Sequence, residues 1–241
     1  MRELIAGAQD LQISLRTEHL EALRRYQDLL LTWNDRFNLT AITDDTGIQI
    51  RHFLDSLSCL LALESGERFG GKRVIDVGTG AGFPGIPLKI LCPNIKLTLL
   101  EATKKKTRFL QQVVDELGLR DVTVIHGRAE AVGQDPAHRE QYHWALARAV
   151  ADLPILMEYL LPFLQVNGRA LAQKGESAPA EVHRTNFAFQ QLGGQLRQLI
   201  PVDLRGINET RYLVLVDKVA ATPAKYPRRP GMPGKYPLAS E

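Results

Sequence analysis

Asp76-Val-Gly78-Thr-Gly80-Ala-Gly82-Phe-Pro-Gly85 closes a short strand-like run, Val74–Val77, and its reading decides the fold. Three glycines at alternate positions let the backbone turn sharply and approach a ligand closely, because no Cβ stands in the way. Pro84 suits the first turn of a following helix, whose free N–H groups form a polar rim. A P-loop is excluded, since no Gly-Lys-Ser/Thr follows.

Two cofactor readings stay open at this loop. Gly80-Ala-Gly82-Phe-Pro-Gly85 matches the dinucleotide fingerprint, and Glu101 falls about where its ribose-binding acid belongs, which would make the chain a nicotinamide-dependent oxidoreductase. Against that, Asp76 sits two residues before the first glycine, where dinucleotide folds keep an apolar residue. An acid plus backbone N–H groups suits a ligand bearing both a carboxylate and an ammonium, as S-adenosylmethionine does. The second reading is the expectation carried forward.

Downstream, short β-type runs alternate with helical ones. Strands are predicted at Val74–Val77, Leu97–Leu100, Val122–Ile125, Trp144–Ala147, Ala170–Ala172, Leu196–Val202 and Tyr212–Val216. Helices are predicted at Gly85–Leu91, Lys104–Leu117, near Pro154–Leu164 and over Pro179–Leu192. This alternation predicts an α/β fold with a Rossmann-like parallel sheet covered on both faces. The last two strands lack room for a crossover helix, so they are expected to pair as an antiparallel hairpin. The sheet is thus expected to hold seven strands, the last antiparallel.

Chemistry-bearing residues fall at the ends of these runs. Glu101, after the second, can accept bonds from two ribose hydroxyls or serve as a helix-terminus charge beside the cap candidate Thr103. Gly127-Arg-Ala129-Glu130, after the third, can bring a carboxylate to an adenine edge. Arg148, after the fourth, either pairs structurally or faces the cleft, and the cleft is expected. His52 and Asp55 lie i, i+3 on one helix face, suited equally to a structural bond or a substrate contact. Lys104, Lys105 and Lys106 point in different directions on a helix and read mainly as a solvated face.

The flanks complete the organisation. Residues 1–65 read as a helical region, with Leu15, Leu20, Leu23, Tyr26, Leu30 and Trp33 at near-helical spacing. Glu64–Lys72, with three glycines, reads as the hinge into a main domain over 66–220. From Lys218 onward come five cations, five prolines and a single acid, so residues 221–241 read as an extended basic strap. Lys225, Arg228, Arg229 and Lys235 are its candidate RNA contacts, with Tyr226 and Tyr236 as stacking faces.

The 241 residues, 44% apolar and 24% charged, suit one globular core with additions. No membrane-spanning run or secretory segment is legible, and two cysteines are too few for a disulfide framework or zinc site. The expectation is a cytoplasmic protein without a metal.

Together the Asp76–Gly85 loop, Glu101-Ala-Thr-Lys-Lys-Lys, Gly127-Arg-Ala-Glu130 and Ala147-Arg-Ala149 resemble the bacterial 16S ribosomal RNA guanine-N7 methyltransferases, the glucose-inhibited division protein B family. The resemblance extends to Asn38-Leu-Thr40-Ala-Ile, His52-Phe-Leu-Asp55-Ser56-Leu and Tyr226-Pro-Arg-Arg-Pro-Gly231, spanning about residues 33–238. It implies methylation of one guanine N7 in 16S ribosomal RNA of the small subunit. It also implies cofactor contacts at Gly78, Phe83, Glu101, Ala102, Thr103, Ala129, Glu130 and Arg148, joined by Asp76, Gly80 and Gly82 of the loop. Related sequences often carry Asp at the position of Glu101, and either carboxylate can hold a ribose. Guanine N7 has a free in-plane lone pair, so Arg148 is assigned a positioning role and no general base is assigned. A catalytically silent RNA-binding or assembly factor is the remaining alternative.

Overall fold

The structure, a computed structural model, describes residues 1–63 and 69–238. Most of the expected hinge, and with it the boundary between 65 and 66, lies outside the described residues.

Seven strands form one sheet in the order β3-β2-β1-β4-β5-β7-β6. They are β1 (Arg73–Val77), β2 (Lys96–Glu101), β3 (Val122–His126), β4 (Tyr142–Arg148), β5 (Leu164–Lys174), β6 (Gly194–Val202) and β7 (Arg211–Lys218). β1 to β5 run parallel, while β7 pairs antiparallel with both β5 and β6. β7 therefore slots between β5 and β6, and it alone opposes the rest.

Successive side chains of a strand point to opposite faces, which sorts them into two cores. Val74, Leu97, Leu99, Trp144 and Leu146 pack into one core with Leu23, Tyr26 and Leu30 of the helix Thr17–Phe37. Ile75, Val77, Leu100, Ala145 and Ala147 pack into the other with Leu156, Met157 and Phe163, closed by Tyr226 and Leu238. The N-terminal helices thus complete one face of the sheet, and the C-terminal strap helps to complete the other.

Two elements differ from the sequence reading. β5 is far longer than Ala170–Ala172, because its first half is hidden behind polar Gln165, Asn167 and Arg169. There the register against β4 shifts between Tyr142 and Trp144, and Asn167 adopts a left-handed φ of 70°. The helix expected over 179–192 is two, Ala178–Arg184 and Asn186–Leu192. Thr185 sits at the break, its hydroxyl donating to the Glu181 carbonyl at 2.6 Å. In the N-terminal region, Ile48–Leu54 forms a π-helix, a rare wide turn that often accompanies function. It places His52 and Asp55 against the carboxyl ends of the strands.

Candidate active site

Parallel strands open a crevice beyond their carboxyl ends, and the glycine turn after β1 forms its floor. Asp76 is fully buried, and its Oδ2 ties the turn together by accepting from the Thr79 hydroxyl at 2.6 Å and the Gly85 N–H at 2.8 Å. Its Oδ1 has no hydrogen-bond partner among the described residues. Burial pushes this carboxyl up from 3.8 to about 6, against the Thr79 and Gly85 bonds that favour the anion.

The glycines divide the work differently from the expectation that all three bring backbone to a ligand. All have positive φ, but a Cβ on Gly78 would lie 2.8 Å from Val150, and one on Gly82 would lie 2.5 Å from Ile86 and the Tyr26 hydroxyl. At Gly80 the nearest atom would be 4.0 Å away. Gly78 and Gly82 therefore serve the protein's own packing, and Gly80 alone turns its bare face to open space. The Tyr26 hydroxyl donates to the Ala81 carbonyl, so the helix Thr17–Phe37 props the loop from beneath. Nothing in the sequence distinguishes that hydroxyl from the apolar helix face to which Tyr26 belongs.

Glu101, at the end of β2, is 6% exposed and reaches back to the turn. Its Oε2 accepts from the Gly80 N–H at 3.0 Å and its Oε1 from the Thr103 N–H at 2.7 Å. Each oxygen keeps a second lone pair for a ligand hydroxyl. Thr103 is the N-cap of the helix Lys104–Glu116, but its side chain makes no capping bond. Beside this carboxylate lies a cleft of about 90 Å³ lined by Gly78, Leu100, Ala102, Ala129, Glu130 and Val150. A larger hollow of about 310 Å³ sits among Leu60, Leu63, Phe69, Leu91 and Cys92, at the opposite end of the sheet. Among the described residues its walls are mostly apolar and carry no acid or base, whereas Glu130 lines the smaller cleft and Glu101 stands beside it.

Arg148 does not stand free in the cleft. Its Nη1 donates to Asp55 Oδ2 at 2.8 Å and to the Arg51 carbonyl at 2.9 Å, and its Nη2 lies 3.3 Å from His52 Nδ1. The Arg148 and Asp55 side chains are only 12% and 2% exposed, which makes this a structural ion pair at the site's edge. Phe83 is packed here too, with the Arg148 guanidinium 4.9 Å from its ring centre and the His52 ring stacked at 4.5 Å. His52 Nε2 lies 2.9 Å from the Thr40 hydroxyl. Burial, then the Arg148 charge, lowers the His52 pKa from 6.5 to about 4, so the ring is neutral near pH 7. The two motifs Asn38–Ile42 and His52–Leu57, far from the glycine loop in sequence, thus converge on Arg148 and Phe83.

The strap departs further from expectation. Arg228 is not available to RNA: its guanidinium grips the fully buried Glu158 through Nε at 2.9 Å and Nη2 at 2.6 Å. Tyr226 is buried and Lys218 wholly so, its ammonium donating to the carbonyls of Leu161 and Leu192. Lys225 lies over the Tyr226 ring and Lys235 over Tyr236, while Arg229 is exposed. Lys105 donates to the Phe37 carbonyl at 2.8 Å, binding two elements together. Among the described residues no group of three metal-ligating side chains occurs, and no helix is long and apolar enough to cross a membrane.

This sheet order, with its antiparallel β7, its glycine turn after β1 and its carboxylate closing β2, is the Rossmann-like fold of the class I S-adenosylmethionine-dependent methyltransferases. The family model described as GidB, rRNA small subunit methyltransferase G, matches residues 19–205, and the chain belongs to that family. It is 50% identical to Ribosomal RNA small subunit methyltransferase G of Roseiflexus castenholzii, covering 99% of this chain and 100% of that protein. Against the protein of the same name from Alkaliphilus metalliredigens it is 46% identical over 96% of both chains. Two solved structures share the fold at low identity. One is a mutant of MtNAS in complex with S-adenosylmethionine, with a TM-score of 0.55 and 15% identity, covering 83% of this chain and 73% of that one. The other is TrmN from Thermus thermophilus, with a TM-score of 0.52 and 18% identity, covering 71% and 53%.

Proposed function

We propose that this chain transfers a methyl group from S-adenosylmethionine to the N7 atom of one guanine in 16S ribosomal RNA. The observation that carries the cofactor half is the pairing of Gly80 with Glu101: a bare, open-facing backbone beside a buried carboxylate with lone pairs to spare. Buried beneath the same turn, Asp76 ties Thr79 and Gly85 together and so fixes the shape of the loop that would receive the ligand. Membership of the GidB family supports the RNA half.

In this reading Glu101 takes the ribose hydroxyls, and Ala102, Thr103, Ala129 and Glu130 border the adenine. Asp76, Gly78, Gly80 and Gly82 shape the turn that receives the amino-acid end, with Phe83 and Arg148 at its edge. When bound, S-adenosylmethionine supplies an electrophilic methyl group on a sulfonium. The guanine N7 lone pair is already free, so the chain has no proton to remove and needs only to align the base. Asp55 pairs with Arg148 and, at 3.5 Å, with Arg211, so it offsets part of the positive charge beside the place where a sulfonium must sit and positive charge grows on the purine. His52, neutral at working pH, adds no charge. Lys225, Arg229 and Lys235 remain the strap's candidate RNA contacts, and the small subunit, assembled in the cytoplasm, is the proposed partner.

Labelled S-adenosylmethionine incubated with total ribosomal RNA and with isolated small subunits, followed by mapping of the modified base, tests this. Label at a single guanine N7 in 16S RNA is expected. Label on another atom or molecule, or none with either substrate, overturns it.

A further inference from the structure

The C-terminal strap reads in sequence as an RNA contact, yet its best-made bonds are with segments that flank the cleft and with Glu130 of its lining. Arg139 donates to the carbonyls of Thr222 and Tyr226, both at 2.7 Å, and Gln134 to those of Ala224 and Pro227 at 3.2 and 2.8 Å. Pro227 lies so close to the cleft-side helix Ala129–Val132 that a Cβ on Gly133 would stand 3.0 Å from it. The residues that follow form a latch. Arg228 holds Glu158 with its backbone N–H at 2.8 Å as well as its guanidinium. Glu158 neighbours Tyr159, which lines the cleft. Three residues on, the Gly231 N–H donates at 2.9 Å to Oε1 of Glu130, itself 4% exposed. Glu130 Oε2 has no hydrogen-bond partner among the described residues, and Glu130 lines the cleft.

We infer that the strap is part of the cofactor site: Arg228 clamps it to Glu158, and Gly231 then holds one oxygen of Glu130 so that the other faces the ligand. The inference rests on the reading of the cleft as the S-adenosylmethionine site. A carboxylate on a helix of only four residues, Ala129–Val132, has little of its own to fix its rotamer. An N–H bonded to one oxygen orients the other, and a ligand group then meets a fixed acceptor instead of ordering a loose one. Gly231 suits the task because its φ of 86° lies in the left-handed region, letting the chain turn its amide inward directly after Pro230. Arg228 and Gly231 are positioning residues; Glu130 is the contact.

The test measures S-adenosylhomocysteine binding by calorimetry on the full chain, alongside thermal unfolding. Arg228→Met should weaken binding about tenfold, Arg228→Lys should recover part of that, and Glu130→Gln should weaken it similarly. The double variant Arg228→Met/Glu130→Gln should lose little more than either alone, since the two act as one unit. A purely structural strap would give additive losses, or lower the melting temperature with affinity intact, and either result overturns the inference. Hydrogen exchange on the unaltered protein provides an arm that needs no variant. Adding S-adenosylhomocysteine should slow the Gly231 amide together with the Gly78–Gly82 amides; slowing of the loop without Gly231 refutes the latch. Absence of S-adenosylhomocysteine binding by the unaltered protein would instead bring down the cofactor reading itself.

Discussion

Arg148→Ala is the perturbation for which the structure makes the sharpest demand. Arg148 and Asp55 form an ion pair at 2.8 Å with side chains 12% and 2% exposed. Removing one partner of a buried pair costs about 3–5 kcal/mol, because the survivor keeps its desolvation penalty without its counter-charge. Asp55 retains a second, longer contact with Arg211 Nε at 3.5 Å, which places the loss at the lower end, about 3 kcal/mol. The Arg51 carbonyl loses its donor and Phe83 its stacked guanidinium in the same variant. For a chain of this length about 3 kcal/mol lowers the melting temperature by roughly 6–12 °C. Thermal unfolding at neutral pH, followed by circular dichroism, reads this directly. Replacing both partners, as Asp55→Leu with Arg148→Met, should recover most of the loss, since no lone charge then remains buried. A single variant melting within about 1 °C of the parent would refute the ion pair's structural weight, and would return Arg148 to a free role in the cleft.

Two further outcomes follow from the same geometry. Gly80→Val should abolish S-adenosylhomocysteine binding while costing only about 1–2 kcal/mol of stability for its left-handed backbone, whereas Gly82→Val should unfold at a clearly lower temperature because its side chain enters Ile86 and Tyr26. The reverse order of melting temperatures would contradict the assignment of open space to Gly80. His52 has its pKa lowered from 6.5 to about 4, so its contribution is present above pH 6.5 and lost as pH falls toward 4. Asp76, raised from 3.8 to about 6, runs the other way and gains stability as pH falls from 6 toward 3.8, so the parent's acid limb should be shallow. His52→Gln should gain about 2–3 kcal/mol relative to the parent between pH 7.5 and 4.5, measured by urea unfolding; equal slopes would place His52 in water.

By itself the sequence determined whatever depends on local backbone and period. Alternate glycines after an acid announce a turn with positive φ, and Gly78, Gly80 and Gly82 all adopt it. Short β-type runs alternating with helical ones announce a sheet covered on both faces, as the strands at 74–77 and 97–100 are, and the helix Gly85–Leu91 has the bounds its pattern predicts. The short link before the last strand announces the antiparallel hairpin of β6 and β7. Tertiary structure decided which partners the charges find, because electrostatic and hydrogen-bonding partners are set by packing and not by neighbours in the chain. Arg148 meets Asp55 from 93 residues away, Arg228 meets Glu158 across 70, and Gly231 meets Glu130 across 101. A basic Pro-rich segment reads identically whether its cations face phosphate or a buried glutamate. Only the fold, by bringing Glu158 to the surface that the strap crosses, turns Arg228 inward.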